Sequence, residues 1–293
     1  MDYIIHALVE DSVRVFVGTT KNMVEESRVI HKTSKVCTAA LGRLLTAGAI
    51  MGAMLKNETD VLTLSIKGDG PASGVVVTAD GSSSVKGYIN NPNVHIPLKT
   101  NGKLDVSGAL GFGELRVIKD IGLKEAVTGS VELVSGEIAE DLTYYFAKSE
   151  QIPSSVALGV LVDVDYSARQ AGGFIIQVLP GAKEEVISHL ENTLINFEPI
   201  TSLLDKEYTP EQILEELFGD KFTFKIYDKI FPKFSCDCSR DKMTKALIAV
   251  GVDELKAMKE EDQGASLVCH FCKKENIYTE ADLDKIIETY LKK

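Results

Sequence analysis

The chain lacks any surplus of positive charge. Its 293 residues include 32 Lys and Arg against 43 Asp and Glu, which gives a formal net charge of −11. This balance argues against broad electrostatic binding to nucleic acid or to an anionic membrane, so we expect neither as a partner. The first residues also lack the basic segment of a secretory signal. We therefore expect a cytoplasmic protein, in a compartment where thiols stay reduced.

Long apolar runs are missing as well. Residues 44–55 are uncharged and apolar, but this run is much shorter than the roughly twenty residues that a membrane span requires. Gly48 and Gly52 within it have the spacing that lets helices pack closely in a protein core. The sequence therefore predicts a buried helix here and not a membrane span.

Signatures of catalysis are also absent. The chain has no G-x-S-x-G, H-E-x-x-H or P-loop motif. Its histidines are scattered along the sequence, at His6, His31, His95, His189 and His270. No nucleophile can be paired with a base from this pattern. We therefore predict that the protein has no active site and is not an enzyme.

The N-terminal part of the chain has the pattern of an α+β domain. Apolar and polar residues alternate over the first eighteen positions, which predicts a β-hairpin, and residues 23–55 predict two helices broken near Thr33. Strand patterns follow at residues 61–66, 75–78, 85–89, 115–119, 130–134, 156–162 and 174–179, with a helix over 137–149. We predict an α+β domain over residues 1–180, built from mainly antiparallel sheets with packed helices.

Residues 181–232 predict an amphipathic helical linker. The segment is acidic, and one of its helices has well-defined ends, with Thr209 as N-cap, Gln212 three residues later and Gly219 after the last turn. Helices this short are marginal alone, so their apolar faces need a surface on which to dock. An ordinary connector between domains fits the same pattern.

Residues 233–293 predict a small C-terminal zinc-binding domain. Four of the chain's five cysteines lie here, Cys236 and Cys238 as C-x-C and Cys269 and Cys272 as C-x-x-C. Two close pairs of thiolates about thirty residues apart predict one tetrahedral Zn²⁺ site, with Zn²⁺ as the cofactor. Arg240, Lys273 and Lys274 would offset part of its charge. The fifth, Cys37, is predicted to be a small buried residue.

Each cysteine pair could also close as a short disulfide, and the energies of the two states differ greatly. Zinc on four thiolates stabilises a small domain by about 10–16 kcal/mol when that domain cannot fold without it. A disulfide over about three residues restricts the unfolded chain by only about 1.6 kcal/mol and leaves the two pairs unconnected. Oxidation is therefore predicted to release the metal and unfold the domain.

Other interpretations of the cysteines remain open at this stage. Cys269 and Cys272 could form the redox pair of a thiol-disulfide oxidoreductase, although such a pair normally opens a helix in a βαβ unit. A zinc ribbon that binds nucleic acid is disfavoured by the acidic balance and by the C-x-C spacing. A purely structural zinc site, in an acidic scaffold protein, fits the four ligands equally well.

Three further segments carry a family resemblance. They are residues 38–43 (TAALGR), 144–155 (YYFAKSEQIPSS) and 172–177 (GGFIIQ). Together with the spacing of the four cysteines, they resemble heat-shock protein 33, a family of bacterial redox-regulated holdase chaperones. The similarity extends over essentially the whole chain, and Cys37 is not part of the family's motif.

The resemblance implies a regulated function in the heat-shock and oxidative-stress response. The reduced protein would hold zinc on Cys236, Cys238, Cys269 and Cys272 and be inactive. Oxidants would form Cys236–Cys238 and Cys269–Cys272 disulfides, release zinc and unfold the linker. The exposed surface would then hold unfolded client polypeptides out of aggregation. Family members form homodimers when oxidised and pass clients to ATP-dependent foldase chaperones. The linker helices would contact clients, so acids at Leu214 and Leu217 are expected to lower client affinity.

Overall fold

A computed structural model describes residues 1–291, so the last two residues of the predicted C-terminal domain, Lys292 and Lys293, lie outside it. The described chain divides into two compact units, the first ending at Ser235 and the second beginning at Cys236. Residues 181–232 belong to the first unit by this division. The boundaries at 180 and 232 that the sequence suggested remain predictions.

Two antiparallel hairpin strands and two helices begin the first unit, as the sequence predicts. The elements are β1 (Tyr3–Val9), β2 (Val13–Thr19), α1 (Lys21–His31), α2 (Lys35–Ala53), β3 (Val61–Gly68), β4 (Gly74–Asp80), β5 (Ser84–Ile89), α3 (Val106–Leu110), β6 (Gly113–Asp120), β7 (Val127–Glu132), α4 (Ala139–Tyr145), a π-helical turn (Phe146–Glu150), β8 (Ser154–Val162) and β9 (Ala168–Val178). The five-residue helix α3 was not predicted, because it is too short to show helical periodicity.

The rest of the chain contains three more helices and two strands in the first unit, then the second unit. These elements are α5 (Glu184–Ile195), α6 (Ile200–Asp205), α7 (Pro210–Phe218), β10 (Phe224–Ile230), β11 (Lys233–Phe234), α8 (Arg240–Val250), α9 (Val252–Asp262), β12 (Gly264–Val268), β13 (Glu275–Thr279) and α10 (Glu280–Leu291). A short 3₁₀ turn, Gly219–Lys221, follows α7.

Two sheets form the first unit. The five-stranded sheet has the order β10-β1-β2-β9-β8 and is antiparallel throughout, whereas the six-stranded sheet has the order β11-β5-β4-β3-β6-β7 with one parallel pair, β11 and β5. The prediction of mainly antiparallel sheets with packed helices is therefore confirmed for this unit.

Helix α2 packs against strands of both sheets and is the centre of the main apolar cluster. It is long and apolar enough to span a membrane by length and composition, but 89% of its most apolar window is buried within the protein. Gly48 is required for this packing, since a Cβ there would lie 2.6 Å from a methyl group of Val77. The prediction of a buried helix is therefore confirmed.

A second apolar cluster lies on the opposite side of the five-stranded sheet, under helices α5, α6 and α7. The sheet contributes Ile5, Ala7, Val13, Val15, Val17 and Ile176, and all of these side chains are buried. Strands with apolar residues on both faces, such as Val15-Phe16-Val17, indicate burial on both sides. The helices of residues 181–218 therefore have the dock that their amphipathic pattern requires.

The prediction that residues 181–232 are helical is wrong at the end of the segment. Residues Phe224–Ile230 form strand β10, which pairs with β1 at the edge of the five-stranded sheet. Most of its side chains are exposed, so apolar burial does not mark it in the sequence. The partner strand lies more than 200 residues away in the chain, and local propensity carries no information about such pairing.

Candidate metal centre

The two cysteine pairs lie on two different local structures of the second unit. Cys236 and Cys238 occupy the extended stretch that precedes α8, where Ser239 accepts a hydrogen bond from the backbone N–H of Lys242 and thereby caps the helix. Cys269 and Cys272 lie in the turn that joins β12 to β13. The second cysteine pair therefore lies at the end of a β-hairpin.

Backbone hydrogen bonds shape the turn that carries Cys269 and Cys272. The N–H of Cys269 donates to the carbonyl of Lys274, and the N–H of Lys273 donates back to the carbonyl of Cys269, both at 2.9 Å. Lys273 has a φ of 59°, in the left-handed region, which lets the chain reverse within the turn. The turn holds both sulfurs on one side of the hairpin end.

The fold of the second unit brings the sulfur atoms of all four cysteines together. The Sγ atoms of Cys236 and Cys269 are 3.7 Å apart, those of Cys238 and Cys272 are 3.3 Å apart, and all four lie within 4.8 Å of one another. In a tetrahedral zinc site with Zn–S bonds of 2.3 Å, neighbouring sulfurs are about 3.8 Å apart. In the part of the chain that the structure describes, this is the one cluster of Cys, His, Asp and Glu side chains with such geometry.

The electrostatics of the cluster also fit a cation. Burial raises the pKa of Cys236 and of Cys238, and hydrogen bonding with the other thiols contributes to both shifts. Burial also acts to raise the pKa of Cys269, but the N–H groups of Cys272 and Phe271 outweigh it and lower that pKa. Four thiolates this close repel one another, so the cluster carries its full charge only around a metal ion.

A four-sulfur set of this geometry is typical of zinc or iron. The four cysteines are free of disulfides; Cys269 is buried, and the other three residues are partly exposed. The cluster therefore lies close enough to the surface for an oxidant to reach it. The residues therefore fit both the predicted ligand set and the chemistry of thiol oxidation.

Two basic residues near the cluster make defined contacts with other side chains. The guanidinium of Arg240 donates to the carbonyl of Ile277 and to Asp282 and lies over the ring of Tyr278, so it braces α8 against β13 and α10. Lys242, which the sequence gave no reason to select, pairs with Asp237 between the two cysteines of the C-x-C motif. Asp237 raises the pKa of Lys242, and Cys236 and Cys238 add to that shift.

The position of Cys269 and Cys272 bears on the oxidoreductase interpretation. A thioredoxin-like pair uses a helix N-terminus to stabilise its thiolate, whereas this pair lies in the turn of the β12–β13 hairpin. The contacts at 3.7 and 3.3 Å join a sulfur of one motif to a sulfur of the other. This arrangement serves a shared ion better than exchange within one pair.

Taken together, the chain is a two-unit α+β protein whose second unit carries a cluster of four cysteines that could hold a metal ion. The model of the family described as Hsp33 protein matches residues 2–279. The chain belongs to the Hsp33 family. It is thereby a member of a chaperone family and is not an enzyme.

Individual relatives agree with this assignment. The chain is 50% identical over 286 residues to the 33 kDa chaperonin of Agathobacter rectalis, covering 97% of this chain and 99% of the relative. It is 51% identical to the 33 kDa chaperonin of Lachnoclostridium phytofermentans, covering 98% of each. The crystal structure of the 33 kDa chaperonin of Thermotoga maritima matches with a TM-score of 0.92 at 36% identity, over 100% of this chain and 99% of that one.

Proposed function

We propose that the protein is a redox-gated holdase. In the reduced state Cys236, Cys238, Cys269 and Cys272 hold one Zn²⁺ and the chaperone is inactive. Oxidation converts Cys236–Cys238 and Cys269–Cys272 to disulfides, zinc is released, and the linker over residues 181–232 leaves its dock. The apolar surface that becomes exposed binds unfolding proteins and keeps them from aggregating.

The cysteine cluster is the observation that carries this proposal. It joins two segments more than thirty residues apart, and it does so with sulfur contacts between the segments. Disulfides within each motif would remove that connection. Among the described residues of the second unit, the buried apolar side chains form one small cluster, which consists of Leu247, Leu255, Tyr278, Leu283, Ile286 and Ile287. A unit with so little burial depends on its cross-link.

The oxidation step balances with peroxide as the oxidant. Each pair of thiolates gives two electrons to one peroxide molecule and forms one sulfur–sulfur bond. The peroxide oxygens take up protons from solvent and leave as two waters. Disulfide sulfurs are poor ligands for zinc, so two peroxides per chain suffice to empty the site.

The surface that undocking would expose is the second apolar cluster of the first unit. Helix α7 buries Ile213, Leu214, Leu217 and Phe218 completely against the five-stranded sheet. If the helices leave, the sheet face that they cover is exposed together with their own apolar sides. An exposed apolar face of a sheet can accept extended segments of an unfolded client.

This geometry changes the expected effect of the double substitution Leu214→Asp with Leu217→Asp. Both side chains are 0% exposed in the docked state, so neither can contact a client until the helix has left. Carboxylates there would undock α7 and uncover the sheet. We therefore expect the double substitution to activate the reduced protein, and not only to weaken a client contact.

The remaining features follow from family membership. We propose that the oxidised protein forms a homodimer and transfers clients to ATP-dependent foldase chaperones in the cytoplasm. The net charge of −11 disfavours partners such as nucleic acid or anionic membrane. Its action is stoichiometric binding without turnover.

Light scattering of a heat-denaturing client protein tests the proposal. The reduced, zinc-loaded protein should fail to suppress aggregation, and the peroxide-treated protein should suppress it at about equimolar ratio. Reductant with added zinc should reverse the effect. Zinc release, followed with a chromogenic chelator, should precede or accompany activation.

Two results would contradict it. Equal suppression by the reduced and oxidised proteins would rule out the switch. Catalytic reduction of insulin disulfides would favour an oxidoreductase that uses Cys269 and Cys272.

A further inference from the structure

Strand β10 is the least buried strand of the five-stranded sheet. Its burial pattern leaves every residue between Phe224 and Ile230 exposed, and the register of its pairing with β1 is interrupted between His6 and Ala7. Few apolar contacts therefore hold it in place. Such a strand opens at low free energy unless its side chains make other contacts with the body of the unit.

One tyrosine of β1 makes contacts of this kind with two linker elements. The hydroxyl of Tyr3 donates to Oε2 of Glu211, in the first turn of α7, at 2.6 Å. The ring of Tyr3 packs against the apolar cluster under the linker helices. Burial and the contact with Glu211 raise the pKa of Tyr3 to about 12, so the phenol remains a proton donor at neutral pH.

Lys229 of β10 contacts both Tyr3 and Glu211. Its Nζ atom lies 3.7 Å from the centroid of the Tyr3 ring and 3.6 Å from Oε1 of Glu211. The cation thus contacts both the aromatic face on β1 and the carboxylate on α7. Helix α7 and strand β10, both about 200 residues beyond β1 in the sequence, therefore meet β1 at one tyrosine.

We propose that Tyr3, Glu211 and Lys229 form a latch that holds α7 and β10 on the first unit and sets how readily the linker undocks. The latch, defined by these three residues, acts on the linker itself and not on the metal ligands. The latch itself does not depend on the proposed function; only its effect on client binding rests on that function. Tyr3, Glu211 and Lys229 are positioning residues.

Charge gives the latch a property that apolar docking lacks. The side chains of Lys229 and Glu211 are 48% and 35% exposed, so salt screens their attraction. The apolar burial under α7 does not weaken with added sodium chloride. Opening of α7 and β10 should therefore become easier as ionic strength rises, while the zinc cluster stays intact.

Hydrogen exchange of the reduced, zinc-loaded full-length protein tests the latch. Tyr3→Phe, which keeps the ring but removes the donor, should speed exchange of the α7 and β10 amides by about tenfold. Lys229→Gln should speed it by about fivefold. Lys229→Arg keeps the cation and should restore most of the protection. One molar sodium chloride should speed exchange in the parent protein more than in Lys229→Gln.

Lys225→Gln is the matched control. Lys225 lies over the ring of Tyr227 on the same strand, so this cation–π contact leaves with the strand and cannot hold it. The contact of the Tyr227 ring with His6 on β1 is left unchanged by the substitution. Substitution of Lys225 removes the same charge from the same strand and should leave exchange unchanged. Zinc content should be equal in all variants.

The outcomes separate the latch from the proposed function. Unchanged exchange in Tyr3→Phe and Lys229→Gln overturns the latch, as does equal acceleration in β2 and β9, which would indicate general destabilisation. Faster local exchange together with activation at a lower peroxide dose supports both ideas. Faster local exchange with no change in client binding supports the latch and counts against undocking as the activating step.

Discussion

Residues 1–235 bury two large apolar clusters, one around α2 between the sheets and one under α5–α7, whereas the second unit buries one small cluster in its described residues. The first unit can be stabilised by burial alone, since apolar area removed from water contributes about 25 cal/mol per Å². The second unit has too few buried side chains for this. In the proposed function, an ion held by its four cysteines supplies the missing connection.

The two regions therefore respond to different chemistry. Disulfide formation requires two accessible thiols close together, and in the described chain the four cysteines of the second unit are the thiols placed in this way. Cys37, the one cysteine of the first unit, is 0% exposed, and burial raises its pKa, which keeps it as an unreactive thiol. A chain built in this way can lose the fold of one region and keep that of the other.

The largest expected effect is loss of the metal. Cys269→Ser should abolish tight zinc binding and unfold the second unit, because most of the roughly 10–16 kcal/mol of metal binding is lost. Residues 1–180 of the first unit should keep their fold, whereas the linker over residues 181–232 should leave its dock as the proposed function requires. Limited proteolysis should then digest the second unit and the linker first, and amide spectra should show loss or displacement of the signals of residues 181–291 while those of residues 1–180 remain.

Cys37→Ser is the control for that experiment. The Cys37 thiol donates to the carbonyl of Asn91 at 3.3 Å, and a serine hydroxyl can replace that bond. Zinc content and the second unit should not change. A second unit that stays compact and protease-resistant in Cys269→Ser would contradict the contrast between the regions.

Next in size is undocking within the first unit. Leu214→Asp with Leu217→Asp should detach α7, since truncation of one buried leucine already costs about 2–5 kcal/mol and a buried carboxylate costs more. Zinc stoichiometry should remain that of the parent. Binding of a hydrophobic dye and suppression of client aggregation should both appear without oxidant.

Ile195→Asp provides the matched comparison for the leucines. Ile195 lies at the end of α5 and is 78% exposed, so the same chemical change there buries no charge. This variant should bind no more dye than the parent. If the two leucine substitutions behave in the same way as Ile195→Asp, the linker is not held by its apolar face.

A moderate effect is expected at Glu137 of the first unit. This carboxylate accepts from Arg43 at 2.6 Å and from Lys99, and it joins the N-terminal end of α4 to α2 and to the loop before α3. Burial acts to raise the pKa of Glu137, but Lys99 and Arg43 outweigh it and lower that pKa. Glu137→Gln should destabilise the first unit by about 1–3 kcal/mol in urea unfolding.

The pH dependence of the Glu137 effect has a definite sign. Because the folded pKa is below the unfolded value of about 4.3, the stabilisation is complete at neutral pH and is lost as pH falls through the folded pKa. The difference between parent and Glu137→Gln should therefore shrink in strong acid. Glu198→Gln, which removes an exposed pair with Lys206, is the control and should change stability little.

The smallest effect is expected at Lys242. Its pair with Asp237 lies beside the cysteines but is largely exposed to solvent. Lys242→Gln should lower zinc affinity by about threefold or less, and the difference should vanish at high salt. Competition with a metal chelator at two ionic strengths measures it. A loss comparable to that of Cys269→Ser would mean that charge compensation, and not ligation, holds the second unit.

Sequence patterns predicted the fold well where the pattern is local. The hairpin of β1 and β2, the buried helix α2 and the capping box of Thr209 and Gln212 were all anticipated, and the last is confirmed by reciprocal hydrogen bonds of 2.9 and 3.2 Å. Each rests on residues within a few positions of one another. Strand β10 and the latch were missed because their partners lie about 200 residues away.

Residue identity by itself determined the chemistry of the second unit. Four thiols at C-x-C and C-x-x-C spacing predict an all-sulfur ligand set, because two cysteines so close in sequence can reach the same ion. Only the tertiary structure shows which apolar surfaces of the first unit are buried under the linker. Strand β10 pairs with β1, and helix α7 docks on β1 and β2. Both contacts join parts of the chain that are far apart in sequence, and local propensity does not encode such long-range contacts.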